Sequence, residues 1–204
     1  MTLAVGGVLL LVRGSGDGAT TKAAPSPTRP HGTTVDLKLG DVSADHAGPP
    51  VTVTAEQSRA VLDLFSAYVQ DVTVNPLRSG APATADLGAV FDAATLATAT
   101  TVDRGVLFDE NLPKVTGSLV VAASPVSVLG LGDQGGRLAL VTASTVFDVT
   151  GQTAAKTPLH IQRKVDFTIA PDATGAWKVT AYDVVVTRAG GGVTGPTTST
   201  QATR

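Results

Sequence analysis

The sequence predicts an α+β domain in which two to three N-terminal helices pack on a curved sheet of four antiparallel strands. Three observations lead there. Apolar residues recur at helical spacing in the first half of the central region and at a spacing of two in the second. A 43% apolar fraction against 16% charged residues supplies a core of ordinary size for one domain in a chain of 204 residues. Segments rich in Pro, Gly and Thr flank the central region on both sides, which leaves residues 51–189 as the folded unit.

Residues 1–12 contain the apolar run Thr2 to Val12, about half of the ~20 residues that a membrane-spanning helix needs. No Lys or Arg precedes it and no Ala-x-Ala site follows directly, so the run reads as the C-terminal part of a longer signal or membrane anchor. A buried strand or a frayed end is the alternative reading. Residues 13–50, with Pro25, Pro27, Pro30, Pro49 and Pro50, read as a disordered tether. Val35 to Val42 could form a short strand, but its Gly and Asp interrupt it. Residues 190–204 read as a flexible tail.

Inside the folded unit, Thr54 and Gln57 have the spacing of a capping box and start a helix. Val61, Leu62, Phe65, Tyr68, Val69 and Val72 form its buried face, and Asn75-Pro76 predicts its end. Thr84 or Asp86 caps a second helix with Leu87, Val90, Phe91 and Leu96 inward. A short third helix spans Val102 to Glu110. The runs Val115 to Leu129, Arg137 to Val149, Leu159 to Ile169 and Ala176 to Arg188 are rich in Val, Thr and Ile and are separated by turn residues, as four long strands would be.

The order of helices before strands, with Gly175-Ala176-Trp177-Lys178-Val179 starting the last strand, resembles the NTF2-like (cystatin-like α+β cone) superfamily. The closer likeness is to tethered or secreted actinobacterial NTF2-like proteins such as Mce-associated proteins. That resemblance implies a cone-shaped domain outside the cytoplasm, membrane-anchored or secreted, with a host of possible roles from isomerase to non-catalytic adaptor.

The charge and motif content narrows the chemistry. Fifteen basic against seventeen acidic residues give a net charge of −2, which offers no basic surplus for nucleic acid. The chain has no Cys, so disulfides, thiolate metal sites and a Cys nucleophile are excluded. His31, His46 and His160 have no metal-ligand spacing, and no cofactor is predicted. The G-x-G-x-x-G run from Gly130 to Gly135 leads into a β-branched segment instead of a helix, so it reads as a hairpin loop. Asp103, Arg104, Asp109 and Glu110 read as a solvated rim around the third helix.

One charge falls on a core face. Arg163 shares a phase with Leu159, Ile161, Val165, Phe167 and Ile169. With Ile169 opposite Trp177, Arg163 lies opposite Asp183, in phase with Trp177, Val179, Ala181 and Val185. Arg163 and Asp183 are therefore the candidate ligand-binding residues, either as the polar floor of a pocket or as a self-satisfied ion pair, with Tyr68 and Tyr182 as nearby hydroxyls, although Tyr182 alternates to the other face. No catalytic residue is assigned. The expected function is a non-catalytic, membrane-tethered accessory domain of the cell envelope that contacts a protein partner. A binder of an apolar small molecule or lipid is the alternative. An isomerase or dehydratase is a weaker third reading, in which Asp183 alone could serve as acid or base.

Overall fold

The computed structural model describes residues 35–80, 87–191 and 198–203. Seven strands form one mixed sheet: β1 (Leu39–His46), β2 (Val115–Ala123), β3 (Val126–Gly132), β4 (Leu138–Thr153), β5 (Pro158–Pro171), β6 (Trp177–Gly190) and β7 (Thr198–Thr203). Their order across the sheet is β1-β3-β4-β5-β6-β7, and β2 also pairs with β4. Neighbours are antiparallel except β1 and β3, which run parallel. The expectation of a four-stranded antiparallel sheet under two to three helices is therefore corrected. The sheet is larger and mixed, and it carries one long helix plus short helical turns. Its edge strand β1 lies in the range read as tether, and β7 lies in the range read as tail. The apolar run Thr2 to Val12 lies outside the described residues.

Proline accounts for the split of the first predicted strand. Ser124-Pro125 separates β2 from β3, and both pair with β4, β2 along Phe147 to Thr153 and β3 along Leu138 to Ser144. Pro125 has no N–H to give to the ladder. Ser124 fills the gap: its hydroxyl oxygen accepts from the Val146 N–H at 2.9 Å, and its N–H donates to the Val146 carbonyl at 2.9 Å. Thr145 donates its hydroxyl to the Ser124 carbonyl at 2.8 Å. The glycine-rich run is a hairpin as read, with Asp133 Oδ1 accepting from the N–H groups of Gly135 and Arg137. Gly130 and Gly132 are needed where Val51 and Val53 cross the sheet, since a Cβ on either would come within 2.7 Å of a valine methyl.

Helix α1 (Ala55–Val69) starts with the expected capping box, Thr54 and Gln57 exchanging side chain to backbone hydrogen bonds. It does not stop at Pro76. A π-helical turn (Gln70–Val74) leads into α2 (Asn75–Ser79), where Pro76 sits in the first turn. Gly80, in the left-handed region at φ 67°, ends the helix. Thr84 and Asp86 lie outside the described residues. A 3-10 turn (Leu87–Ala89) leads to α3 (Ala93–Thr100), capped by Asp92, and α4 (Arg104–Leu107) is a single turn.

These elements cover one face of the sheet. Phe65 stacks on Phe167 with ring centroids 4.8 Å apart, and Tyr68 meets Phe167 edge-on at 5.1 Å. Phe91 packs against Tyr68, Phe167 and Tyr182. The other face of the central strands is half-exposed and polar.

A β-bulge decides what the last strand buries. Thr168 pairs with Ala181 but Ile169 pairs with Val179, so Thr180 is an extra residue in β6. The phase flips there. Trp177 lies opposite Pro171, and Ile169 is not its partner. Beyond the bulge Tyr182, Val184 and Val186 are buried, whereas Ala181, Asp183 and Val185 turn to the other face. Trp177 packs half-buried at the edge of the core. Phe167→Ala should cost about 3–5 kcal/mol in urea unfolding, and Trp177→Ala should cost clearly less. Equal costs would contradict this packing.

Candidate functional site

Arg163 is fully buried on the helix side of β5, paired in register with Phe147 on β4 and Val186 on β6. Asp183 pairs with Asp166, on the opposite face. The structure thus separates the two predicted site residues. The single extra residue Thr180 is the reason, because it exchanges the faces of every residue after it.

The carboxylate that Arg163 meets is Asp109, which is 1% exposed. Arg163 Nη2 donates to Asp109 Oδ2 at 2.7 Å, and Nη1 donates to the Tyr68 hydroxyl and to the Leu107 carbonyl, each at 2.9 Å. Arg163 Nε has no acceptor among the described residues. Asp109 Oδ2 also accepts the Thr73 hydroxyl at 2.6 Å, and its Oδ1 accepts Arg188 Nε at 2.7 Å. Arg188 Nη2 reaches the Val106 carbonyl at 2.8 Å. One carboxylate therefore serves two guanidiniums.

The helix geometry brings Asp109 to this point. Pro76 cannot donate to the Val72 carbonyl four residues before it. The Asp109 N–H does so instead, at 2.9 Å. The π-helical turn that precedes Pro76 puts Val72, Thr73 and Val74 all in the interior, so the Thr73 hydroxyl lies beside the same carboxylate.

Asp103 and Asp109 were expected on a solvated rim, and both are buried, Asp103 accepting the Tyr182 hydroxyl at 2.6 Å. Only Arg104 and Glu110 form a rim pair, bidentate at 2.8 and 2.7 Å. Tyr182 is accordingly on the core face, in contrast to its expected phase. Thr73 and Arg188 carried no site assignment. Arg188 follows Tyr182, Val184 and Val186 at spacing two, a signal that becomes readable once the bulge is placed.

Burial pushes the Tyr68 phenol pKa up, against a downward pull from Arg163. Burial also opposes the charge on Arg163, but Tyr68 and Asp109 outweigh it and raise the guanidinium pKa. Arg163 stays charged and Tyr68 stays a neutral phenol. The network is thus a closed structural device in which the guanidinium is committed to internal acceptors.

Asp183 belongs to a different place. On the outer face, a cleft of about 440 Å³ has Asp41, Ser127, Ser144, Asp166, Asp183 and Thr203 in its lining, with apolar residues such as Leu129 among them. Thr203 donates its hydroxyl to Asp183 Oδ1 at 3.1 Å, and Lys164 reaches Asp166 at 3.2 Å. His160 pairs with Asp148 at 2.7 Å, and His46 Nδ1 lies 2.6 Å from the Gly48 carbonyl. His31 lies outside the described residues. Among the described residues no group of three or more His, Asp or Glu side chains is placed to hold a metal ion. No protein-family model, no curated protein and no solved structure matches the chain.

Two outcomes test the network. Asp109→Ala leaves the buried Arg163 and the partly buried Arg188 without their carboxylate and should cost about the 3–5 kcal/mol typical of breaking a buried pair, while Arg163→Met combined with Asp109→Ala should cost less than the sum of the two. Additive losses in chemical denaturation would remove the coupling. The second outcome concerns pH. A phenol pKa raised in the folded state stabilises the fold below the unfolded value of about 10, and that contribution is lost as pH rises through the folded value. Stability should fall above pH ~10, and the fall should be shallower in Tyr68→Phe.

Proposed function

We propose that the chain is a non-catalytic, membrane-tethered accessory domain of the cell envelope, acting outside the cytoplasm through protein–protein contacts on the outer face of its sheet. The observation that carries this reading is the contrast between the two faces. On the helix side, the polar groups that could have served a ligand are buried and bonded to one another, Arg163 to Asp109, Tyr68 and Leu107. On the other side, the cleft is shallow and built from six strands, a shape that suits a protein surface better than an enclosed small molecule. The apolar run Thr2 to Val12 and the Pro-containing stretch before β1, with Pro25, Pro27 and Pro30, support the tether. Among the described residues, no helix is long and apolar enough to cross a membrane.

The absence of cysteine makes a direct test clean. Single cysteines at Ser144 on the outer face and at Asp63 on the exposed side of α1 can be placed in the full chain and expressed in cells. A membrane-impermeant maleimide should label both on intact cells. A thiol cross-linker should then capture a partner from position 144 and not from position 63. Labelling only after lysis would refute the location, and capture from position 63 alone would refute the contact face.

A further inference from the structure

We infer that the outer sheet face takes a cationic, extended segment of a partner protein, laid across the strands from β3 to β7. This rests on the reading of that face as the contact surface. The strand register places Ser127, Ser144, Asp166, Asp183 and Thr203 in a single row, one from each of five neighbouring strands. At ~4.8 Å per strand the row is about 19 Å long, the reach of about six residues of extended chain. The cleft runs along this row, with Asp41 from β1 at its other margin.

Charge selects the occupant. The three charged residues lining the cleft, Asp41, Asp166 and Asp183, are all carboxylates, in a chain whose net charge is only −2. Asp166 and Asp183 face each other directly across β5 and β6, which concentrates negative charge in the middle of the row. A partner's ammonium or guanidinium is attracted to that concentration. Lys164, from the adjoining row, shows the geometry: its Nζ meets Asp166 Oδ2 at 3.2 Å, with 62% of the lysine side chain exposed. An exposed pair of this kind is weak and readily exchanged for a partner's cation. The hydroxyls of Ser43, Ser127, Thr142 and Ser144 can donate and accept, as the backbone of a bound segment requires.

A hexalysine peptide is the probe, titrated into the full-length chain by calorimetry and by NMR, with hexaglutamate and spermine as controls. Hexalysine should bind, shift the amides of Ser144, Asp166 and Asp183, and weaken severalfold between low and physiological salt. The double variant Asp166→Asn with Asp183→Asn should weaken it about tenfold, a loss of about 1.4 kcal/mol. Ser144→Lys should abolish binding, and Asp63→Asn, which removes the same charge from α1, should leave it unchanged. Shifts confined to another face, equal binding by the double variant, spermine binding as tightly as hexalysine, or a second copy of the chain occupying the face in sedimentation would each overturn the inference. Cross-linking from position 144 separates the two failures. If a partner is captured there and the double variant still captures it, the cationic chemistry is wrong and the contact face stands. If none is captured there, the contact face itself is wrong.

Discussion

The buried carboxylate of Asp109 ties the helical layer to two strands of the sheet. An unpaired charge in a protein interior costs many kcal/mol, so its partners must be in place whenever the fold is. Here the partners come from the π-helical turn after α1, from β5 and from β6, through Thr73, Arg163 and Arg188. Hydrophobic contacts bring these elements together without regard to direction. The carboxylate adds the direction. A one-residue slip of β5 would carry Arg163 to the solvent face and take from Asp109 one of its two guanidiniums, so the pair opposes that shift of register.

The same constraint explains why the helix takes an irregular path. A straight α-helix through residues 70–79 would keep the Val72 carbonyl pointing at Pro76, which has nothing to donate. The π-helical turn and the Asp109 N–H resolve that defect together. A local weakness in one element thus becomes the attachment point for another. The two faces of the sheet are divided accordingly, one committed to the interior and the other, among the described residues, carrying no helix and rich in hydroxyls.

Local signals in the sequence were dependable, and signals that needed counting across a sheet were not. The capping box at Thr54, the buried stripe of α1, the hairpin at Asp133 and the three long strands β4, β5 and β6 are all determined by neighbours a few residues apart. Arg163 was legible as a charge in an apolar phase. Its partner was not, because Thr180 inverts the alternation of β6, and nothing in Trp177 to Val185 marks which residue is the extra one. Asp109 was hidden for another reason. It lies in a short charged stretch that resembles a rim, and its burial depends on a carbonyl that Pro76 releases more than thirty residues earlier. The edge strands β1 and β7 are rich in Gly, Asp, Ser and Thr, residues that a strand accepts at an edge but that read as linker when the sheet is unseen.

The spacing of the network along the chain sets the order of biogenesis. Asp109 meets Arg163 and Arg188 at separations of 54 and 79 residues, and Tyr68 meets Arg163 across 95. A nascent chain that has released only its helices does not yet hold Arg163 and Arg188, the two cations that Asp109 meets. Contacts of such long range slow folding and leave apolar surface open meanwhile. The network can therefore close only once β6, the last element it draws on, is present.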